Sequence, residues 1–366
     1  MRGGEKVLLS LARLFPDAPI YTLLHVKGSV AAELESRTIH TTFVQHLPDL
    51  ERRYRQYLPL FPAAAASFDL SGYDLVVSSS HCVAKGVRVA EGALHLCYCH
   101  TPMRYVWDRY DDYFGDGRLP LPFRWIVPFV AEALRAWDVA TAPRVHRFAA
   151  NSAYVAARIQ RYYGREAEVI PPPVDTDFFT PGEQGRADYD LIVSALAPSK
   201  RIELVLEAYR GTGRPLRIVG RGPEEARLRA MMPPEATLLG PVDDLTLREL
   251  YRGCRAVIMA GVEDFGIVPV EAMACGKPAV VFSEGGATES VIAEKTGVVF
   301  DQPTPEALRA AVDSLDRLRF NASALRAQAE SYCRASFESR FRDFVDRARL
   351  AATDPRRESP RTSSRW

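Results

Sequence analysis

The chain has 366 residues, more than one ordinary domain takes, so two units of roughly 180 residues, each with its own core, are expected. Hydrophobic residues make up 47% and charged residues 25%, which excludes a wholly disordered or collagen-like chain. The 47 Lys+Arg against 46 Asp+Glu leave a formal charge of +1, too small for a protein that holds nucleic acid by bulk charge. Only six of the basic residues are lysines (Lys6, Lys27, Lys85, Lys200, Lys277 and Lys295), and the rest are arginines.

No apolar run reaches the ~18–20 residues that span a bilayer; the richest, Leu119–Leu134, is broken by Arg124 and Pro128. No export signal is visible at the start. The six cysteines include no Cys-x-x-Cys pair, and Cys97 and Cys99 alternate on a buried strand as small apolar residues, so neither a structural zinc nor a disulfide framework is expected. The chain reads as cytoplasmic and reduced.

Short apolar runs alternate with amphipathic helical patterns throughout, the signature of parallel strands joined by helical crossovers. The opening Met1-Arg2-Gly3-Gly4-Glu5 starts at a Gly-rich turn, without the buried strand that normally precedes one; either the start lies upstream or a central strand is lacking. In the first half, Ile20–Leu24, Leu75–Ser78, Leu94–Cys97 and Arg147–Ala150 read as strands. Gly4–Leu14, Leu50–Leu58, Trp125–Ala140 and Ala153–Tyr163 read as helices. Three consecutive prolines in Val169–Asp175 form a stiff extended connector and mark the boundary between units. Domains of 1–170 and 171–335 are expected, with a helix over 336–350 that crosses back to the first unit and a disordered Pro/Arg/Ser tail over 351–366.

In the second half, strands are expected at Asp190–Ser194, Leu216–Val219, Thr237–Leu239, Ala256–Met259, Ala279–Phe282 and Val298–Phe300. Helices are expected at Ile202–Tyr209, Glu224–Met231, Leu245–Tyr251, Ile267–Cys275, Thr288–Glu294 and Pro305–Leu315. The fold class is therefore α/β, with two doubly wound Rossmann-like units facing a central cleft.

Ligands of such sheets bind beyond the carboxyl ends of the strands. Those ends carry Ser194–Lys200, Gly220-Arg221-Gly222, Gly240-Pro241-Val242, Glu263-Asp264-Phe265-Gly266 and Glu284-Gly285-Gly286. Glycines would admit a ligand to the backbone, and Lys200 matches a phosphate. Gly266 opens the Ile267–Cys275 helix, whose free N–H groups favour an anion. Glu263 can enter the crevice from the loop and Glu271 from the helix; alternatively Glu271 merely suits a helix N-terminus and Glu263 is solvated. Gly220-Arg221-Gly222 lacks the third glycine of a dinucleotide fingerprint, because Glu225 holds its place.

The stretch Glu263–Pro278 resembles the Glu-x7-Glu signature of retaining GT-B glycosyltransferases of family 4 (group 1). His100-Thr101-Pro102, Ser78–Val87 and Pro171–Asp175 resemble the mannosyltransferase-like subgroup of bacterial surface-polysaccharide synthesis. The resemblance covers nearly the whole chain. It implies that Lys200 neutralises the donor diphosphate with the N–H groups of Gly266, Ile267 and Val268 beside Phe265. It also implies that Glu271 holds the ribose and Glu263 the donor sugar, and that Pro241 and Val242 flank the base. From the first unit, Gly3 and Gly4 would approach the phosphates and His100 the reacting carbon. The family often has an Arg five residues before the lysine; here Ala195 stands there, and Arg201 or Arg221 would supply the charge.

With no Asp-x-Asp in a suitable loop, metal independence is expected, with no cofactor beyond the nucleotide-sugar itself, GDP-mannose favoured. His81 and Lys85 are read either as acceptor contacts or as a polar turn that caps a helix. Arg104 and Asp108 shape an acceptor pocket with Trp107, unless Trp107 is core. Glu51–Leu60 puts bases and aromatics together, so Leu50–Leu60 either rests on anionic lipid at the cytoplasmic face and delivers a lipid-linked acceptor, or packs Tyr54 and Leu58 inward. The expected activity is hexosyl transfer, mannosyl by preference, to a lipid-linked or surface polysaccharide. The alternatives are a GT-B sugar-nucleotide epimerase and a catalytically degenerate nucleotide-sugar-binding paralogue.

Overall fold

The computed structural model describes residues 3–108, 110, 121–182 and 188–353. The tail expectation lies outside the described residues from 354 on, as do Met1 and Arg2 of the opening turn.

Every paired strand is parallel, as the alternating pattern requires. In the first half, β1 (Ile20–Thr22) pairs with β2 (Ile39–Thr41). A separate four-stranded sheet runs β3 (Leu75–Ser80), β4 (Leu94–Cys99), β5 (Arg147–Ala150) and β6 (Ala167–Val169) in that order. Among the described residues no strand joins the two sheets. β4 is buried along its whole length, because the Gly3–Leu14 and Arg334–Thr353 helices cover Leu94, Leu96 and Tyr98 on one face and the Ala153–Tyr163 helix covers Cys97 and Cys99 on the other. That layer interleaves Val7 and Leu11 with Leu94, Leu96, Tyr98, Phe337, Phe341 and Phe344. The Arg334–Thr353 helix, the last among the described residues, thus completes the first core.

The second half forms a six-stranded sheet in the order β12-β11-β10-β7-β8-β9. Its strands are β7 (Tyr189–Val193), β8 (Leu216–Val219), β9 (Ala236–Gly240), β10 (Cys254–Met259), β11 (Ala279–Phe282) and β12 (Gly297–Phe300). The Ile202–Tyr209 and Pro305–Ser314 helices pack on one face; Asp244–Gly253, Ile267–Ala274 and Ala322–Glu330 pack on the other. Both faces being covered explains why β11 reads as an unbroken apolar run. The strand order reverses between β7 and β10, and the loops after these two strands carry Lys200 and Glu263. Val174, at the end of the proline run, pairs its backbone with Tyr332 and Cys333, where the chain returns toward the first unit.

Several expected elements differ. The helix expected over Leu50–Leu58 is one α turn, Leu50–Arg53, followed by a 3-10 stretch, Tyr54–Leu60. Asp49 enters it in the left-handed region and Pro59 lacks the N–H a longer helix needs. The helix expected over Thr288–Glu294 is only Ala287–Ser290, because Glu294 takes a positive φ and Ala293 turns back to bridge Gly297. β2, β6 and the Ala322–Glu330 helix were not anticipated; the two strands have three residues each, too few to show a period.

Candidate active site

The loop after β7 ends in a 3-10 turn, Pro198–Lys200, that swings Lys200 over the sheet edge. Its Nζ forms an ion pair with the Glu263 carboxylate, delivered by the loop after β10. The glycines around them do not lie open to a ligand. A side chain at Gly220 would strike the carbonyl of Ser194, one at Gly222 that of Leu196, and one at Gly285 or Gly286 the backbone of Glu263 or Asp264. Their work is to let the Lys200 loop and the Glu263 loop nest against their neighbours, which corrects the sequence expectation that they admit substrate. Gly266, at φ 83°, sits over Ala287 and turns the chain into the Ile267–Ala274 helix. The first-turn N–H groups of that helix have no helical partners of their own. Phe265 is core, 4% exposed and packed at 5.6 Å on Tyr332, so its side chain anchors the turn instead of lining a donor pocket.

Glu271 lies one turn further on, buried. Its Oε1 accepts from Lys6 Nζ at 2.5 Å and its Oε2 from the Tyr251 hydroxyl at 2.8 Å. Lys6 comes from the opening helix of the first unit, so this pair spans the two halves. Burial disfavours the Lys6 charge, but Glu271, with Asp244 and Asp175 nearby, outweighs it and lifts the ammonium above its ordinary range. The same helix brings Gly4 within van der Waals distance of His100, 3.7 Å from Cε1 to the place a side chain would take, whereas Gly3 faces open space.

His100 follows β4. Ser79 Oγ holds its Nε2 at 2.8 Å and Asn151 Nδ2 donates to its carbonyl at 3.0 Å. Burial first, and the neighbouring His81 second, push it from 6.5 down to about 3, so it is a neutral imidazole at physiological pH. His81 is exposed at the end of β3 beside it.

The other first-unit residues are placed differently from the expectation. Lys85 is not on the acceptor side. It is 1% exposed, pairs with Asp138 at 3.0 Å, donates to Thr141 Oγ1 at 2.9 Å and lies over the Tyr163 ring. Asp138 also accepts from Trp107 Nε1 and the Tyr163 hydroxyl, so Trp107 belongs to this buried network. Arg104 and Asp108 do not frame an open acceptor pocket either: Arg104 pairs with Asp264, and Asp108 pairs with Arg158 and accepts from the Tyr162 hydroxyl. Arg158 in turn reaches Asp264 at 2.8 Å and Thr101 Oγ1 at 2.8 Å. The opposite charges on the two sides of the cleft draw these groups together. Ser152 Oγ donates to the Asp264 carbonyl, and Glu289 accepts from the N–H groups of Ala153 and Tyr154 at 2.7 and 2.9 Å, capping a first-unit helix from the second unit.

Arg201 stands at φ 50°, with its guanidinium 4.9 Å from the Phe282 ring centroid and its Nη1 shielded from solvent without a partner. Arg221 is exposed, its carbonyl held by Leu196 N–H at 3.0 Å. Pro241 is exposed and Val242 half-buried, just past β9.

Sequence reasoning missed Lys6, Tyr251, Ser79, Arg158 and Asp264. Two had signals. Lys6 is a cation in a helix's first turn, where the macrodipole opposes it. Arg158 interrupts the apolar face made by Val155 and Ile159, where a charge requires a partner.

Two α/β units of parallel strands, docked through Lys6–Glu271 and through Arg104 and Arg158 on Asp264, with Lys200 and Glu263 at the switch point of the second sheet, define a GT-B protein, and the comparisons agree. The Anabaena protein HepE, solved with UDP and glucose, superposes with a TM-score of 0.67 at 17% identity, covering 94% of this chain and 96% of that one. Sucrose-phosphate synthase from Thermosynechococcus elongatus gives 0.69 at 17% identity, over 94% and 92%. The chain belongs to the glycosyltransferases of this fold: residues 1–178 match Glycosyltransferase Family 4 and residues 174–332 match Glycosyl transferases group 1.

A GDP-mannose-dependent alpha-(1-6)-phosphatidylinositol monomannoside mannosyltransferase from Mycolicibacterium smegmatis is 33% identical over 45% of this chain and 51% of its own length. A D-inositol 3-phosphate glycosyltransferase from Segniliparus rotundus is 29% identical over 47% and 46%. One of the same description from Acidothermus cellulolyticus is 28% identical over 65% and 60%. The chain thus spans about half the length of the curated relatives it matches.

Proposed function

We propose that this protein is a retaining hexosyltransferase that moves a sugar, mannose by preference, from a nucleotide donor to a lipid-linked or surface-polysaccharide acceptor. The observation that carries the reading is the Lys200–Glu263 ion pair at the point where the strand order of the second sheet reverses. A donor diphosphate would draw Lys200 toward itself and release Glu263 to the hydroxyls of the sugar. Cleavage of the sugar–phosphate bond builds negative charge on the leaving diphosphate. Lys200 and the N–H groups at Gly266, Ile267 and Val268 would stabilise that charge more in the transition state than in the ground state. Neutral His100, oriented by Ser79, would accept or donate one hydrogen bond at the sugar without adding charge. Glu271 would take the ribose hydroxyls, and the Pro241–Val242 backbone would flank the base. Lys200 and the N–H groups at Gly266, Ile267 and Val268 would do the work of a divalent ion at the diphosphate, so the reaction is proposed to be metal-independent. Mannose is favoured because one group of relatives is described as GDP-mannose-dependent.

The deciding experiment is a thermal-shift panel of GDP, UDP, ADP and CMP in EDTA. Selective stabilisation by GDP is expected, on the order of 2–3 kcal/mol at a hundredfold excess over Kd. Stabilisation by UDP would replace mannose with another hexose, and no response to any nucleotide would overturn the reading. Consumption of donor without an acceptor would point to the epimerase.

The same proposal places the protein in the cytoplasm, against the inner face of a membrane. No helix among the described residues is long and apolar enough to cross a membrane. Tyr54, Tyr57 and Leu58 of the Leu50–Leu60 stretch pack inward, while Arg53 and Leu60 stay at the surface; the side chains of Arg52 and Arg55 lie outside the description. The Leu121–Thr141 helix, packed on the same core, exposes Trp125, Ile126 and Phe129, which suits an interfacial anchor better. Replacing Trp125 and Phe129 with Ser should lower co-sedimentation with phosphatidylglycerol vesicles several-fold; unchanged binding would remove the membrane from the proposal.

A further inference from the structure

Lys6 has no place in the reading so far, yet it is tied to the residue proposed to read the ribose. A buried carboxylate must be paired and hydrogen-bonded to stay charged, and Glu271 is 4% exposed. It meets that need with one partner from each unit: Tyr251 on the neighbouring helix of its own unit, and Lys6 on the opening helix of the other. Lys6 is not there for its own helix, since a cation in the first turn works against the macrodipole. Its stem crosses toward Phe179, whose ring centroid is 5.4 Å from Nζ. The ammonium is therefore held by second-unit groups.

The count of lone pairs is informative. A carboxylate offers about four acceptor directions, two on each oxygen. Lys6 takes one on Oε1 and Tyr251 one on Oε2, so each oxygen keeps one. A vicinal diol needs one acceptor per hydroxyl, from a carboxylate that does not rotate.

We propose that Lys6 is a positioning residue for nucleotide recognition: together with Tyr251 it fixes the Glu271 carboxylate so that one lone pair on each oxygen faces the ribose 2′,3′-diol. Ribose selection then depends on contact between the two units, although the groups proposed to meet the ribose and the base lie in the second. This inference rests on the reading that Glu271 binds the ribose.

The test is calorimetric binding of GDP and UDP, each beside its 2′,3′-dideoxy counterpart. It uses the full chain and the variants Lys6→Met, Lys6→Arg and Glu271→Gln, with thermal unfolding to confirm folding. The wild-type protein should prefer the ribo form by about tenfold or more, the scale of charge-assisted hydrogen bonds. Glu271→Gln should erase most of that preference. Lys6→Met should shrink it to about threefold or less while dideoxy binding stays near wild type, and Lys6→Arg should retain most of it. Full preference in Lys6→Met, or equal weakening of both forms, would overturn the role of Lys6. Preference surviving in Glu271→Gln, or no preference or no binding in the wild-type protein, would instead remove the ribose reading of Glu271 and this inference with it.

Discussion

Glu263 and Lys200 are paired, so removing one frees the other, and their substitutions should move nucleotide affinity in opposite directions. Glu263→Gln keeps the side chain's size but releases the ammonium for the diphosphate. Nucleotide affinity should hold or rise while kcat falls by about 10²–10³, the usual cost of losing one positioned transition-state group. Steady-state kinetics beside calorimetry would separate the two, and an unchanged kcat would deny Glu263 its role. Lys200→Ala should weaken diphosphate binding by ~1.5–3 kcal/mol. The histidines predict a pH effect. Burial pushes His100 from 6.5 to about 3 and His95 to about 4, the latter held by Ser78 and the Arg144 carbonyl. Between pH 6.5 and these values the unfolded chain binds protons that the folded protein refuses, so stability rises with pH in that window and is lost on acidification through it. Denaturant midpoints at pH 7.5, 6 and 5 should fall in order, and His95→Gln should flatten the trend.

At the scale of elements, the contact between halves is a short set of opposite charges. Asp264 receives Arg104 and Arg158, and Glu289 caps the Ala153–Tyr163 helix. Asp264 is bonded to Glu263, so the groups that dock the units also fix the backbone that carries the proposed sugar-binding carboxylate. Arg158→Met and Asp264→Asn should therefore be coupled: in a double-mutant cycle on kcat/KM, the pair should fall short of additivity by about 0.5–3 kcal/mol. Strict additivity would mean that they act separately. This network also marks the limit of what the sequence disclosed. The Glu263–Pro278 stretch, the Lys200 loop and His100 are contiguous motifs whose spacing announces a strand end and a helix start, and they were readable. Arg104 and Asp108 were assigned to an acceptor, and Lys85 to the cleft, because a charge near a predicted crevice looks available. Its partner lies 160 positions away for Arg104 and 53 for Lys85, and a one-dimensional pattern does not carry such a pairing. Gly220, Gly222, Gly285 and Gly286 were misassigned for the same reason: the loops they admit are other parts of the chain, whereas Gly240 faces open space.

Across the whole molecule, the last helix is the element whose position the local pattern defines least and whose packing matters most to the first unit. Phe337, Phe341, Phe344 and Val345 recur at helical spacing, which gives an apolar face but not the surface it covers. In the structure that face closes the core over β4, with Phe341 fully buried against Tyr98 and Phe337. Phe341→Ala leaves a cavity between the Arg334–Thr353 helix and β4 and should cost about 3–5 kcal/mol. The loss should be regional. Amides of Leu94–Cys99 should exchange faster in the variant, whereas those of Cys254–Met259 and Ala279–Phe282, whose core lies in the other unit, should keep their protection. The nucleotide contacts proposed for the second unit would survive, while His100, which follows β4 directly, and Gly4 on the helix beside it would lose their fixed relation. The variant should accordingly keep nucleotide-induced stabilisation of the second unit and lose turnover. If instead both sheets lose protection together, the two units unfold as one, and the last helix supports the whole molecule and not the first core alone.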